Sequence, residues 1–352
     1  ENSRTFHIPL FFMSRFTNYI FYTLKPVIPR SLQIFLRRRV AQYKRKRYAH
    51  IWPIDPNAGS PPAGWDGWPG GKQFAIVLSH DVDTCQGYDN VLKLAEIEEA
   101  LGFRSCFNFV PERYGKIRLE RLDELRRRGF EIAVHGLKHD GKLFFSKRAF
   151  DRQAQRINEY LKQWNAKGFT SPSMHHNLKW LAGLDISYSI STFDTDPFEP
   201  QPDGVGTIFP LLVRNSDTGQ SFAEIPYTLP QDSTLFIILQ EKSIDIWKQK
   251  LDWIAEKGGT ALLNSHPDYM WFDQGDSAKY RYPFYYYTEF LEYLKCRYAG
   301  KFLNMLPSEL AVFWQRRNWP LSDPTDVALP NPETKFFSKR TASHNAEAIQ
   351  AR

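Results

Sequence analysis

Three short stretches of this sequence put ionisable side chains directly after apolar runs. The first, Ser79-His80-Asp81-Val82-Asp83, follows the run 74–78 and offers two carboxylates one residue apart. Such a pair can hold a divalent cation, or one member can hold the cation while the other takes a proton. It can equally cap the next helix or brace a turn. The second, His135-Gly136-Leu137-Lys138-His139-Asp140, carries two imidazoles four positions apart, which can reach one ion from a turn or a helical start. Neither pair is specific alone; at strand ends of one repeating pattern, together they point to a shared metal site. The third, Asn264-Ser265-His266-Pro267-Asp268, carries a lone imidazole. Its ordinary pKa of about 6.5 lets such a group donate a proton to a leaving amine near neutrality.

These groups need elements to bring them together, and the pattern of residues 72–319 supplies candidates. Short apolar runs at 74–78, 106–110 and 131–134 predict strands. Apolar residues at helical spacing predict helices over 91–101, 119–128 and 147–164, closed by Gly102, Gly129 and Gly168. Strands alternating with helices of this length imply parallel βαβ units, whose strand ends meet at one face. Further strands are expected at 186–190, 207–213, 234–239 and 260–263, and helices at 244–256 and 286–298. Residues 1–50 form a basic, aromatic helical extension, 51–71 a connector rich in Pro, Gly and Trp, and 320–352 a polar tail.

The three stretches, in this order and at these positions, resemble the motifs of the polysaccharide deacetylases, carbohydrate esterase family 4 of the NodB-homology type, over about residues 72–310. The resemblance implies an α/β fold, a distorted (β/α) barrel commonly of seven strands. It also implies hydrolysis of an N-acyl group, as a rule N-acetyl, on a sugar of a bacterial surface or exported polysaccharide. Carried over, His135 and His139 fall on the two metal histidines and His266 on the late catalytic acid. The family's adjacent Asp-Asp is here Asp81-Val82-Asp83. The simplest placement makes Asp81 the base and Asp83 the metal ligand, with the reverse also open. One divalent ion is implied, zinc first, with nickel, cobalt and manganese as alternatives.

Two positions depart from the family. Thr170, before Ser171-Pro172, stands where an Arg usually fixes the base, and Ser189 stands near Tyr188 where an Asp is usual. Asp194, Asp196 or His175 could substitute, or the chain could be slow, or a glycan binder without catalysis; an amide hydrolase of a small non-sugar compound is a further alternative. The acidic, aromatic, Pro-bounded stretch 191–200 is a candidate sugar-contacting loop through Phe193, Asp194 and Asp196, together with Pro172, or else a packed loop. The tyrosines at 280–287 read first as packing.

Composition narrows the rest. The 352 residues are 42% hydrophobic, enough for one large core. The apolar stretch 8–24 is interrupted by Arg15, Thr17 and Asn18, and no small-residue cleavage site follows it. Three cysteines without metal-type spacing suit a reducing compartment, so a cytoplasmic or membrane-peripheral location is expected. The formal charge of +7 gathers near the start, at Arg37, Arg38, Arg39, Lys44, Arg45, Lys46 and Arg47. That cluster is either a solvated helix face or a peripheral contact with anionic lipid. No reader motif accompanies it, so nucleic acid is not an expected partner. No phosphate-binding Gly-rich loop and no Gly-x-Ser-x-Gly elbow occurs, which argues against nucleotide chemistry and a serine esterase.

Overall fold

The computed structural model describes residues 28–115, 117–215, 219–273 and 279–317; the apolar stretch 8–24 and the tail from 320 lie outside the described residues. Helix α1 (Arg30–Arg47) comes first, its Ile34 and Ala41 buried. The connector then runs to β1 (Phe74–Val82), which is buried along its whole length, as a strand covered on both faces must be. β1 continues past the expected 74–78 because Ser79, His80 and Asp81 all find hydrogen-bond partners inside.

A regular alternation follows: α2 (Cys85–Leu101), β2 (Cys106–Phe109), α3 (Leu119–Arg127), β3 (Glu131–His135), α4 (Lys147–Gln163), β4 (Gly168–Thr170), the single-turn α5 (Leu178–Leu181) and β5 (Tyr188–Ile190). Local chemistry sets the boundaries. Thr84 caps α2 by accepting from the Gly87 amide, and Gly102 ends it in the left-handed conformation. Ser146 caps α4 in the same way. The chain continues through β6 (Leu211–Arg214), β7 (Ser221–Glu224), α6 (Asp245–Lys257), β8 (Thr260–Ser265), the small pair β9 (Met270–Trp271) and β10 (Tyr282–Pro283), α7 (Tyr285–Arg297), β11 (Phe302–Asn304) and α8 (Pro307–Gln315).

The main sheet curls round in the order β8–β1–β2–β3–β4–β5–β7, all parallel. Beyond β7 the chain reaches β8 again. The amides of Thr228 and Leu229 both donate to the Leu262 carbonyl, and Leu229 bridges Leu263. Those seven parallel strands make the expected distorted (β/α) barrel, closed at one place by a bridge instead of a full ladder. β11 extends the edge of β1 below β2, and β6 runs antiparallel outside β7. The interior is tight where β4 meets β5: a Cβ on Gly168 would stand 1.9 Å from the Tyr188 ring. Only glycine lets that ring cross the barrel.

Two expected strands change. Residues 234–239 belong to a buried π-helical turn, Ser233–Leu239. A short continuous apolar run fits a buried strand and a buried helical turn equally well, so its sequence could not separate them. The expected 207–213 shrinks to β6, which starts just after Pro210, a residue unable to donate to a ladder. The connector is clamped to the barrel through its tryptophans. Trp68 donates its indole N–H to the Gly258 carbonyl (2.9 Å) and stacks on Phe313, while Trp65 lies against Trp314. α1 rests on the turn at 233–239, with Arg38 Nε donating to the Ile237 carbonyl (3.0 Å). Among the described residues no helix is long and apolar enough to cross a membrane.

The Gly168–Tyr188 contact makes a stability prediction. Gly168→Ala should destabilise the fold by about 1–3 kcal/mol, the usual cost of overpacking a closed core. Chemical denaturation would show it; an unchanged midpoint would mean that the ring has room to move.

Candidate active site

β1 and β3 flank β2, so their tips stand about 10 Å apart, two strand spacings. Side chains leaning over the end of β2 from either side can span that gap. Asp83 follows β1, and His135 is the last residue of β3. His139 returns to the same point through a sharp turn. Gly136 takes φ +61°, and a Cβ there would meet the Pro172 ring at 2.4 Å. His139 itself holds φ +52°, a strained conformation for a residue with a side chain. Its carbonyl is fixed by Arg113 Nη1 at 2.8 Å.

The result is a compact donor set. Asp83 Oδ1 stands 3.3 Å from His135 Nε2 and 3.1 Å from His139 Nε2, and one ligand atom from each of the three residues lies within 4.8 Å of the others. Asp83 Oδ1 is buried without a hydrogen bond. Burial works against ionisation of Asp83, but the two imidazoles outweigh it and hold the carboxyl well below the usual carboxylate range. Burial likewise lowers His135, yet Asp81 and Asp83 pull its pKa above the ordinary value. The centre of this trio therefore favours positive charge, and two imidazole nitrogens with one carboxylate oxygen fit a divalent cation of the zinc type.

Asp81 faces the same space from inside the barrel. Asn108 Nδ2 donates to its Oδ1 (2.8 Å) and Asn264 Nδ2 to its Oδ2 (2.8 Å), from the strands on either side. Thr170 supplies a third link. Its Oγ1 is 2.6 Å from His135 Nδ1 and donates to Asp81 Oδ1 at 3.4 Å. For His135 Nε2 to offer a lone pair to a metal, the ring proton must sit on Nδ1. Thr170 Oγ1 then accepts a hydrogen bond from Nδ1–H and donates its own hydroxyl to Asp81 Oδ1. This is the outer-shell arrangement that commonly fixes a metal-bound imidazole.

His266, just past β8, stands across from Asp81, Nε2 to Oδ2 at 4.0 Å, too long for a hydrogen bond. Its other nitrogen pairs with Asp232 Oδ1 at 2.7 Å, and the His266 amide and Tyr282 hydroxyl both donate to Asp232 Oδ2. Burial alone would depress the imidazole, but Asp232 pushes it up to about 10. Asp268 accepts hydrogen bonds from the Asp83 amide and the Thr84 hydroxyl. It fits there because residue 87 is glycine: a Cβ would fall 2.1 Å from its carboxylate.

The other expected site residues are placed differently. Phe193, Asp194 and Asp196 are all buried. Asp194 pairs with Lys250 Nζ (2.6 Å), and Asp196 accepts from the Tyr227 hydroxyl (3.0 Å). Tyr227 also meets Glu199, whose carboxyl is pushed up to about 8, by burial first and then by Asp196. Gln231 Nε2 donates to Glu199 and the Phe198 amide to Asp196, so each carboxyl has a second donor. The acidic stretch is thus an internal network that fills the barrel wall. Pro172 does line a surface depression, with His139, His175, Leu137, Leu143 and Phe144. Ser189 alternates away from Thr170 and Ile190 and bonds Ser191 (2.7 Å) on the far face of the sheet. Sequence reasoning missed Asn108, Asn264, Asp232 and Asp268. A lone amide inside Cys106-Phe107-Asn108-Phe109 or Leu262-Leu263-Asn264 was a usable signal for the first two.

Two outcomes are expected. Thr170→Val should lower divalent-metal affinity about 10–100-fold by removing the Nδ1 acceptor, measured by competition with a chromophoric chelator; unchanged affinity would deny Thr170 its orienting role. The His266–Asp232 pair should tilt stability against pH. A raised imidazole contributes stability that is complete below the unfolded value, about 6.5, and is lost as pH rises through about 10. Over that window the pair should contribute a slope of about −1.4 kcal/mol per pH unit. Asp232→Asn should flatten it in denaturant titrations at stepped pH, and an identical slope in the variant would reject the pairing.

No family model and no curated relative matches the sequence. Solved structures do. A protein from Mycobacterium smegmatis provisionally named a polysaccharide deacetylase superposes with a TM-score of 0.57 at 18% identity, over 74% of this chain and 97% of that one. The Xyl-CE4 domain of a multidomain xylanase from the hindgut metagenome of Trinervitermes trinervoides gives 0.40 at 16% identity, over 70% and 94%. A Bordetella bronchiseptica protein, provisionally named a polysaccharide deacetylase involved in O-antigen biosynthesis, gives 0.39 at 15%, over 71% and 94%. What the first likeness establishes is architecture: this chain has the polysaccharide-deacetylase fold.

Proposed function

We propose that the chain is a metal-dependent hydrolase that removes an acyl group, in the simplest case acetyl, from an N-acylated sugar of a bacterial surface or exported polysaccharide. One observation carries the reading: a buried carboxylate, a cation-type donor trio and a paired imidazole all border one space at the barrel mouth. The polysaccharide-deacetylase fold supports it.

Asp83, His135 and His139 would hold the cation, zinc first and nickel, cobalt or manganese otherwise. When bound, such an ion polarises an acyl carbonyl and lowers the pKa of water to about 7. The chain's own residues do the proton work. Asp81 keeps a free lone pair on Oδ2 beside its bond from Asn264, so it can take a proton from water attacking the acyl carbon. His266, held as the imidazolium by Asp232, delivers a proton to the nitrogen as the carbon–nitrogen bond breaks. Water's oxygen ends in the carboxylate and the sugar keeps a free amine. Asp81 and His266 stand 4.0 Å apart, close enough for base and acid to serve one amide. The depression beside His139, walled by Pro172, Leu143 and Phe144, is where a pyranose would lie.

His135→Ala and His139→Ala should lose both bound metal and acetate release. Asp81→Asn should keep the metal and lose about 10²–10⁴ in rate, the usual worth of a positioned base. Metal analysis, with acetate release from N-acetylated oligosaccharides before and after chelation, reads both. Full turnover by Asp81→Asn would overturn the base assignment. Tight oligosaccharide binding without acetate release, under every metal tried, would make the chain a glycan binder on this fold.

A further inference from the structure

Helix α1 carries a face that the barrel does not use. Ile34 and Ala41 are buried against the protein. On the opposite side Leu32, Phe35, Leu36, Val40 and Tyr43 are 46%, 52%, 50%, 54% and 63% exposed. At 100° per residue these five fall in one stripe centred directly opposite Ile34 and Ala41. Helical packing on the fold therefore does not explain them, and a run of large apolar side chains at this spacing is not scattered surface.

The charges around the stripe are all of one sign. α1 contains Arg30, Arg37, Arg38, Arg39, Lys44, Arg45, Lys46 and Arg47, and no Asp or Glu. Some of them fasten the helix: Arg38 to the Ile237 carbonyl, Lys44 to the Pro197 carbonyl and Arg45 to Glu241. Arg39, Lys46 and Arg47 lie within the apolar stripe itself, with the Arg39 guanidinium over the Phe35 ring at 5.3 Å. This combination restricts the occupant. A second copy docked by the same face would set these cations against their own duplicates, because a two-fold contact pairs a surface with itself. The chain's leading residues 1–27 are also net basic, with Arg4, Arg15 and Lys25 against Glu1. A bilayer with anionic headgroups accepts both features at once, the rings and aliphatic side chains at the acyl boundary and the cations at the phosphates.

We infer that α1 is an in-plane membrane-surface helix, whose Leu32, Phe35, Leu36, Val40 and Tyr43 face docks on a bilayer containing anionic lipid. The helix, about 27 Å long, is fastened to the turn that follows Asp232 and to the loop at Pro197, so docking would bring the barrel to the lipid surface. The inference rests on this geometry and not on the proposed chemistry.

The test is co-sedimentation of the full chain with extruded vesicles, pure phosphatidylcholine against a phosphatidylcholine–phosphatidylserine mixture, and it reads no turnover. The chain should partition to the anionic vesicles about tenfold more strongly or better, with the difference shrinking in high salt. Phe35→Glu with Leu36→Glu should reduce binding to the neutral-vesicle level. Arg39→Ser with Lys46→Ser should lose about fivefold per charge, about 1 kcal/mol each. All four positions are exposed, so the denaturation midpoint should be unaltered and serves as the folding control. Equal partition to both vesicle types overturns the proposal. So does binding that survives Phe35→Glu/Leu36→Glu, which would place the contact elsewhere in the chain. Self-association in the absence of lipid that the same variant abolishes would make the face an interface between copies, and would also overturn it.

Discussion

An ionised carboxylate taken out of water costs several kcal/mol unless polar partners replace its hydration, and this barrel buries two of them, Asp81 and Asp83, at the tip of one strand. The surrounding side chains are disposed to meet that cost. Asp81 receives an amide donor from each neighbouring strand, Asn108 on β2 and Asn264 on β8, and a hydroxyl from Thr170 on β4. Asp83 receives none of these and is left facing two imidazoles. Hydrogen bonds to a charged group are each worth about 1.5–3 kcal/mol, so Asp81 is satisfied by neutral donors while Asp83 requires a positive neighbour. That asymmetry supports the proposed division of roles, with Asp81 as the base and Asp83 as the ligand.

The same distinction was only half legible in the sequence. Strand tips could be found because an apolar run ending in a polar cluster is a local signal, and the residues so found, Asp81, Asp83, His135, His139 and His266, do share one space. The sequence does not distinguish the two aspartates, since Asp81-Val82-Asp83 places both on one face of an extended chain. The partners that distinguish the two lie on other strands. Asn108 and Asn264 are separated from Asp81 by 27 and 183 positions, and no local pattern connects them. Asp232 was invisible for a related reason, standing before a run that reads as a strand and folds as a helical turn.

The acidic stretch at 191–200 is open to two readings in the sequence. Acidic and aromatic residues bounded by prolines suit a sugar cleft and a filled wall equally, and only distant residues decide between them. Here Lys250 and Tyr227 come in from other elements and take up Asp194, Asp196 and Glu199. All three carboxylates are taken up inside the fold, away from solvent. The surface that remains beside the donor trio is mixed, with Pro172, Leu143 and Phe144 next to Lys138, Gln153 and His175.

The replacement of Arg by Thr170 bears on whether the site works. A guanidinium beside the base would orient it and add a full positive charge; a hydroxyl orients it and adds none. If the site had decayed after losing such a partner, Asp81 would be expected to carry an unpaired oxygen, because a buried polar group left by its partner keeps its desolvation cost. Both of its oxygens are bonded instead, and Thr170 links the carboxylate to the imidazole that faces Asp83. Ser189, the other departure, turns to the far side of the sheet with Ser191 and Glu224, where it neither helps nor hinders Asp81. Asn108, Asn264 and Thr170, all neutral donors, thus hold the Asp81 carboxylate from three strands.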